Sequence, residues 1–314
     1  MEKYREYLPI IAGFLISIIF GFSFLFTKIG LMNIDNDPFH LLGFRFAVAA
    51  ITLTILMIFG IIKINFKGKK LHILFLLSLF QPITYFICET VGIKMTSSSE
   101  AGMMIALIPV IVTIFGALFL KEKPSLLQTV FVITSVAGVL FINIMKGETT
   151  GNITGMLILL GAIIAAGFFN VLSRKSSLHF RPVEITFIMM WVGAIVFNGI
   201  SITQHALNNE LDTYLMPIGN IKVVISILYL GILSSVIAFF MVNFMLSKIE
   251  ASKSAVFANI TTIISILAGV IILGEDFYWY HVLGGILILI GVWGTNYYGK
   301  KERTLKVKEA KIRQ

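Results

Sequence analysis

GIKMTSSSEAGMMIALIPVIVTIFGALFLKEK (92–123) and LSKIEASKSAVFANITTIISILAGVIILGED (246–276) are two versions of one pattern. Each has a lysine at the end of an apolar run, then a small, hydroxyl-rich linker, then about twenty apolar residues closing on an acid. Lys94 leads to Glu122, and Lys248 leads to Glu275, at nearly the same spacing. The copies lie about half a chain apart, which marks an internal duplication. A duplicated and strongly apolar chain points first to a membrane transporter, because repeats of this kind build alternating access.

The rest of the chain agrees with a membrane setting. Hydrophobic residues make up 57% and charged residues 13% of it, against about 45–50% and about 25% in soluble domains. Mean hydropathy is +0.94. Apolar runs fall at 8–30, 39–62, 71–93, 98–120 and 125–145, then at 152–173, 183–205, 223–246, 252–273 and 279–299. They are too long and too continuous for the alternating strands of a barrel, so helices are expected. The expected fold is an all-α membrane protein of ten transmembrane helices in two inverted five-helix repeats. Residues 1–148 form the first repeat, 149–299 the second, and 300–314 a basic tail. The N-terminus is charged and runs into an apolar stretch longer than a signal-peptide core, so it reads as a retained first helix.

The net charge of +9 suggests nucleic acid only until its distribution is considered. Lys63, Lys67, Lys69 and Lys70 share one short loop. Lys300, Lys301, Arg303, Lys306, Lys308, Lys311 and Arg313 share the tail. These are juxtamembrane positions, which set topology and meet anionic headgroups. With both termini cytoplasmic, most cations fall inside, and the outer loops hold Lys94, Lys146 and Lys222. A cell membrane location with cytoplasmic termini follows from the positive-inside rule. Five helices per repeat then turn the second copy over, so the linker at 97–99 faces outside and that at 251–254 faces inside.

On these residues the chain resembles the EamA-like transporters of the drug/metabolite transporter superfamily. GFSFLFTKIG (21–30) is similar to the family's small-x-x-aromatic run closing on Lys28. PFHLLGFRFAVAA (38–50) is similar to its proline followed by an arginine–aromatic pair, Arg45 and Phe46. The paired linkers and the acidic helix ends FLKEKPSLLQ (119–128) and ILGEDFYWYH (272–281) complete the set. Two departures stand out: Thr262 replaces Pro109 in the second copy, and an apolar residue near Met189 replaces Arg45. The resemblance implies secondary transport, often export, of amino acids or other small metabolites, with helices 5 and 10 bracing the outside. It implies no single substrate.

Ionisable groups within membrane helices are costly and point to function. Glu89 in helix 3 is the leading candidate, as a proton carrier or the partner of a substrate amine; the plain alternative is an ion pair with Arg45 or Lys28. Arg45 suits a substrate carboxylate or a lock on a neighbouring helix. Lys28 suits the site or a snorkel to the interface. Glu89 has Asn243 at its repeat position, so the duplication is electrostatically asymmetric. Gln81 precedes Pro82, which breaks or kinks helix 3, and Pro109 invites the same reading in helix 4. Tyr85 lies one turn before Glu89 on the same face. Asn170, Asn243 and Asn259 suit the cavity or interhelical hydrogen bonds, and Trp191 suits a ligand stack or packing.

The single Cys88 excludes an intramolecular disulfide framework. His40, His72, His179, His205 and His281 are scattered, without local metal-ligand spacing, and no phosphate loop is present. No cofactor, metal, enzyme activity or nucleic-acid partner is therefore expected. The expected partners are a small-molecule substrate and the bilayer, with the chain a monomer or homodimer. An uncoupled facilitator of metabolites or drugs is the alternative function, and a membrane sensor or structural protein the remaining one.

Overall fold

The computed structural model describes residues 2–119, 125–146, 150–249, 254 and 257–312. Glu122, Lys253 and the rest of the second linker at 251–253 lie outside them, as do Lys121, Lys123 and Arg313. Among the described residues every regular element is helical. The first half comprises α1 (Glu2–Met32), α2 (Pro38–Ile58), α3 (His72–Ser78), a wide-turn segment Leu79–Thr84, α4 (Tyr85–Met95), α5 (Ser98–Ile105), α6 (Ile108–Phe119) and α7 (Leu126–Lys146). The second comprises α8 (Thr150–Ser176), α9 (Pro182–Leu207), α10 (Ile221–Leu228), a wide-turn segment Tyr229–Ala238, α11 (Phe239–Lys248), α12 (Ala258–Leu273) and α13 (Trp279–Ile312).

Six segments are long and apolar enough to cross a bilayer: Leu8–Met32, Pro38–Ile58, His72–Met95, Ile153–Ser176, Pro182–Leu207 and Ile221–Lys248. The remaining four apolar runs form shorter apolar helices. The fourth run is broken at Ala106 and Leu107, just before Pro109. A break at membrane depth needs burial in protein, and both residues are buried. The third and eighth runs, equivalent in the duplication, each widen in the middle. In the third, Gln81 leaves helical geometry at φ −146°, ψ 115° immediately before Pro82, which has no amide hydrogen to donate.

The two linkers share a backbone course. Lys94 and Lys248 lie in the last turns of α4 and α11, and each helix then ends on an extended residue, Thr96 at φ −124° and Ile249 at φ −122°. A basic side chain from an earlier helix of the same repeat closes each end. Lys28 Nζ donates to the carbonyls of Ile93 and Thr96, and Arg174 Nη1 donates to that of Leu246. Lys28 is thus a helix cap with a structural counterpart in Arg174, favoured by the negative end of the helix dipole. The second half therefore has a basic residue comparable to Lys28.

The tightest helix pairings all join one half to the other: α7 with α13, α2 with α9, α4 with α8, and α12 with both α1 and α5. Small residues permit these approaches. A Cβ on Gly193 of α9 would sit 2.5 Å from the Phe46 ring of α2. The same logic joins α7 to α13, the fifth and tenth runs, where a Cβ on Gly291 would meet Ser135 N at 2.5 Å and Phe131 O at 2.6 Å. Neither backbone atom can yield without moving its helix. Gly291→Ala should therefore destabilise the protein by about 1–3 kcal/mol, measured as a lowered melting temperature in detergent. Gly285→Ala, with nothing within 4 Å of the added carbon, should leave it unchanged or slightly raised.

Candidate functional site

Arg45 is 1% exposed and occupies the centre of the bundle. It reaches there because α2 starts on Pro38 behind the Asp37 cap and buries its following two turns. The Nε–H donates to Ser235 Oγ and Nη2 to Ser234 Oγ, both at 2.9 Å. These serines belong to the wide-turn segment of the second half, so the guanidinium bridges the halves. The close approach depends on Gly231, where a Cβ would press on Val48 at 2.7 Å and the Arg45 carbonyl at 3.0 Å. The guanidinium also lies over the Phe86 ring, 4.2 Å from its centroid, a favourable arrangement when desolvated.

Glu89 faces this cation loosely. Its Oε2 is 4.0 Å from Arg45 Nη1, beyond hydrogen-bond reach. Tyr85, one helical turn earlier, donates its hydroxyl to Oε1 at 3.0 Å. Oε2 itself is buried and has no hydrogen-bond partner. A buried carboxylate oxygen left unmatched beside a buried cation is costly. The unmatched oxygen and the spare guanidinium nitrogen Nη1 face each other.

Both residues line a cavity of about 110 Å³. Its polar lining comes from Ser23, Arg45, Gln81, Tyr85, Glu89 and Asn170, with Ser234, Ser254 and Thr261. Aromatic rings complete the wall, including Phe20, Phe86, Phe169 and Phe239. Both halves contribute, and the broken third run supplies Gln81. Ligand pockets usually span roughly 300–1,000 Å³, so in this conformation the space suits a small solute or requires the lining helices to part.

Of the residues singled out in the sequence, Glu89, Arg45, Tyr85, Gln81 and Asn170 meet at this cavity. Four do not. Lys28 closes the end of α4, as described. Asn243 is fully buried away from the cavity, accepting from Ser173 at 2.7 Å and donating to Thr186 at 3.0 Å. Trp191 is 37% exposed on the bundle exterior and donates to Thr54 Oγ1. Asn259 lies outside the cavity lining, with its Oδ1 buried and unmatched. Asn243 Nδ2 also points at Met189 Sδ, 3.9 Å away. These are the repeat counterparts of Glu89 and Arg45, so the second half keeps the pairing geometry with neutral atoms.

Ser234 and Ser235 were overlooked in the sequence. Their signal is the polar pair inside GILSSVIAFF (231–240), an apolar run otherwise without hydroxyls. Ser254 and Thr261 carry no comparable signal, since hydroxyls recur throughout their segment.

Comparison with known proteins agrees with this architecture. The model of the EamA-like transporter family matches the chain twice, over residues 8–144 and 153–297. The uncharacterized transporter YcxC of Bacillus subtilis is 38% identical over 298 residues, 94% of this chain and 95% of that protein. An uncharacterized transporter of Archaeoglobus fulgidus is 28% identical over 82% of this chain and 88% of its own length. The WAT1-related protein At4g08300 of Arabidopsis thaliana is 24% identical over 98% of this chain and 89% of its own length. One protein of known crystal structure superimposes with a TM-score of 0.59 at 14% identity, over 89% of this chain and 97% of that one, which shows a shared fold. Matched in both halves and throughout its length by transporter relatives, this multi-pass membrane protein belongs to the EamA-like transporter family of the drug/metabolite transporter superfamily.

Proposed function

We propose that the chain is a secondary transporter that exports small metabolites, with amino acids the leading class. The observation that carries this reading is the loose pair of Arg45 and Glu89, with Oε2 unmatched, beside a cavity lined by both halves. A zwitterion supplies what the pair lacks. Its ammonium group satisfies the carboxylate, and its carboxylate accepts from the guanidinium. The small volume favours compact substrates, and the ring-lined wall accommodates an apolar side chain. The outward direction follows the family resemblance and the exporter character it implies.

The transport cycle in this reading is alternating access around a fixed midplane site. Residues 1–148 and 149–299 act as inverted repeats in the plasma membrane, with both termini cytoplasmic. The wide turns at Leu79–Thr84 and Tyr229–Ala238 are natural points of bending, since such turns concentrate at functional sites. Glu89 has a second role in coupling. A proton on Oε2 neutralises it when the substrate amine is gone, so proton and substrate compete for one atom. An uncoupled facilitator is the competing reading, supported by the aromatic wall, which suits apolar solutes.

Glu89→Gln separates the two. The amide keeps the shape and can still accept from Tyr85, but it cannot be charged. In proteoliposomes under an imposed pH gradient, the variant should lose gradient-driven amino-acid transport and keep substrate exchange only at raised substrate concentration, since the ammonium group loses its charged partner. Gradient-driven transport at the parent rate would refute coupling through this residue. Arg45→Lys should weaken amino-acid binding by about tenfold to a hundredfold, the loss of one charged hydrogen bond of about 1.5–3 kcal/mol. A lysine cannot reach two serines and a substrate together. Thermal-shift titration of the purified variant with an amino-acid panel reads this out.

A further inference from the structure

A second constellation lies at the end of the bundle where α2 begins and α9 finishes. Asp37, His40 and His205 each present a ligand atom, all within 4.8 Å of one another. The imidazole centroids of His40 and His205 are 4.5 Å apart, with the rings at 69°. Sequence spacing hides the group, because 165 residues separate the two histidines. The tight pairing of α2 with α9 brings them together.

The second coordination layer is already built. His40 Nε2 lies 2.9 Å from the carbonyl oxygen of Tyr214, and His205 Nδ1 lies 2.9 Å from that of Ser201. A carbonyl only accepts, so both of these nitrogens carry the proton. The neutral rings therefore offer His40 Nδ1 and His205 Nε2 as lone pairs. Metal-bound histidines are oriented in this way, with the distal N–H fixed by a backbone carbonyl. Asp37 Oδ1 accepts from the amides of Phe39 and His40 at the start of α2, which leaves Oδ2 for a ligand. His40 is 4% exposed and held against the Tyr214 ring, 4.6 Å between centroids. All three residues line one cavity of about 560 Å³, with Asp35, Asn208 and Glu210 beside them.

We propose that Asp37, His40 and His205 form a binding site for a divalent cation of the zinc class. Two imidazoles and one carboxylate select borderline metals over magnesium or calcium, which prefer all-oxygen sites. Tetrahedral zinc with nitrogen and oxygen at about 2.0–2.2 Å places its ligand atoms about 3.3 Å apart, so atoms within 4.8 Å of one another close by no more than about 1.5 Å. His205, partly exposed at the cavity rim, supplies that movement by side-chain rotation. Three protein ligands leave a fourth position open to the cavity, as in zinc sites that keep an exchangeable ligand. The bound ion fastens the first turn of α2 to the last turn of α9. Arg45 lies five residues further along α2, so the ion restrains the helix that carries it. By charge distribution this end of the bundle faces outside, where such a cation is met before the central cavity.

The experiment is a titration of Zn²⁺ against the purified full chain in detergent, read by thermal unfolding and by calorimetry, with Mg²⁺ and Ca²⁺ as controls. Zn²⁺ is expected to raise the melting temperature saturably, with a stoichiometry of one, while the controls do not. His205→Ala and Asp37→Asn should each weaken binding by more than the 10–100-fold that loss of an outer-layer partner costs. His205 is the cleaner probe because it is less buried than His40. A His179→Ala variant tests the surface histidines and should bind like the parent. Zn²⁺ affinity unchanged in both ligand variants would overturn the site, as would no Zn²⁺ response from a parent protein that elutes as a single folded species.

Discussion

Hydrocarbon offers no water to complete an open helix end, and this chain opens several within the bundle. The ends of α4 and α11 are closed by side chains from other helices, and the start of α5 by a side chain from the opposite half. The start of α5 is the sharpest example. Glu275, just beyond the end of α12, accepts from the amides of Ser98 and Ser99 at 2.7 and 2.9 Å and from the Ser99 hydroxyl at 2.6 Å. It reaches them because Gly274 takes the left-handed conformation, φ 66°, that ends α12 and turns the chain. Ser265 and Thr262 then donate to the carbonyls of Ser98 and Gly102. Thr262, which departs from the Pro109 pattern of the first copy, uses its hydroxyl to join the repeats.

The same constraint organises the centre. A guanidinium away from water needs its donors matched, and Ser234 and Ser235 match two of them from the far half. Glu89 lies beside the cation without adding a hydrogen bond to it. The first half therefore carries an electrostatic centre that is held together but incompletely satisfied. In the second half, Asn243 and Met189 fill the same positions as a neutral pair, with Phe239 where Tyr85 stands. Duplication supplied a common frame, and substitution at a few positions made one side of it chemically distinct. In the proposed transport cycle a substrate or a proton occupies the incomplete side.

Much of this was legible in the residues. The apolar runs, the two linkers and the basic loops identify a duplicated membrane bundle, because lipid demands long apolar segments and the cytoplasmic side collects cations. Glu89, Arg45 and Tyr85 stood out as ionisable or polar groups in segments that exclude them. Gln81 stood out through the proline that follows it. Lys28 was harder to place, because a lysine near a helix end suits a snorkel, a site or a cap equally well, and only the position of Ile93 and Thr96 decides. Trp191 and Asn243 were equally ambiguous, since which face of a helix turns inward depends on its neighbours.

The amino-acid sequence alone determined the class of the protein, its internal duplication and the handful of charged residues that hydrocarbon makes conspicuous. These are consequences of transfer free energy, which acts residue by residue and needs no partner. The tertiary structure alone decided what meets what. It brought Ser234 and Ser235 to Arg45, Glu275 to the start of α5, and His40 to His205 across 165 residues of chain. The reason is physical: helix faces and close approaches at glycine are set by packing between the halves, and hydrogen bonds between distant groups leave no periodic trace along the chain.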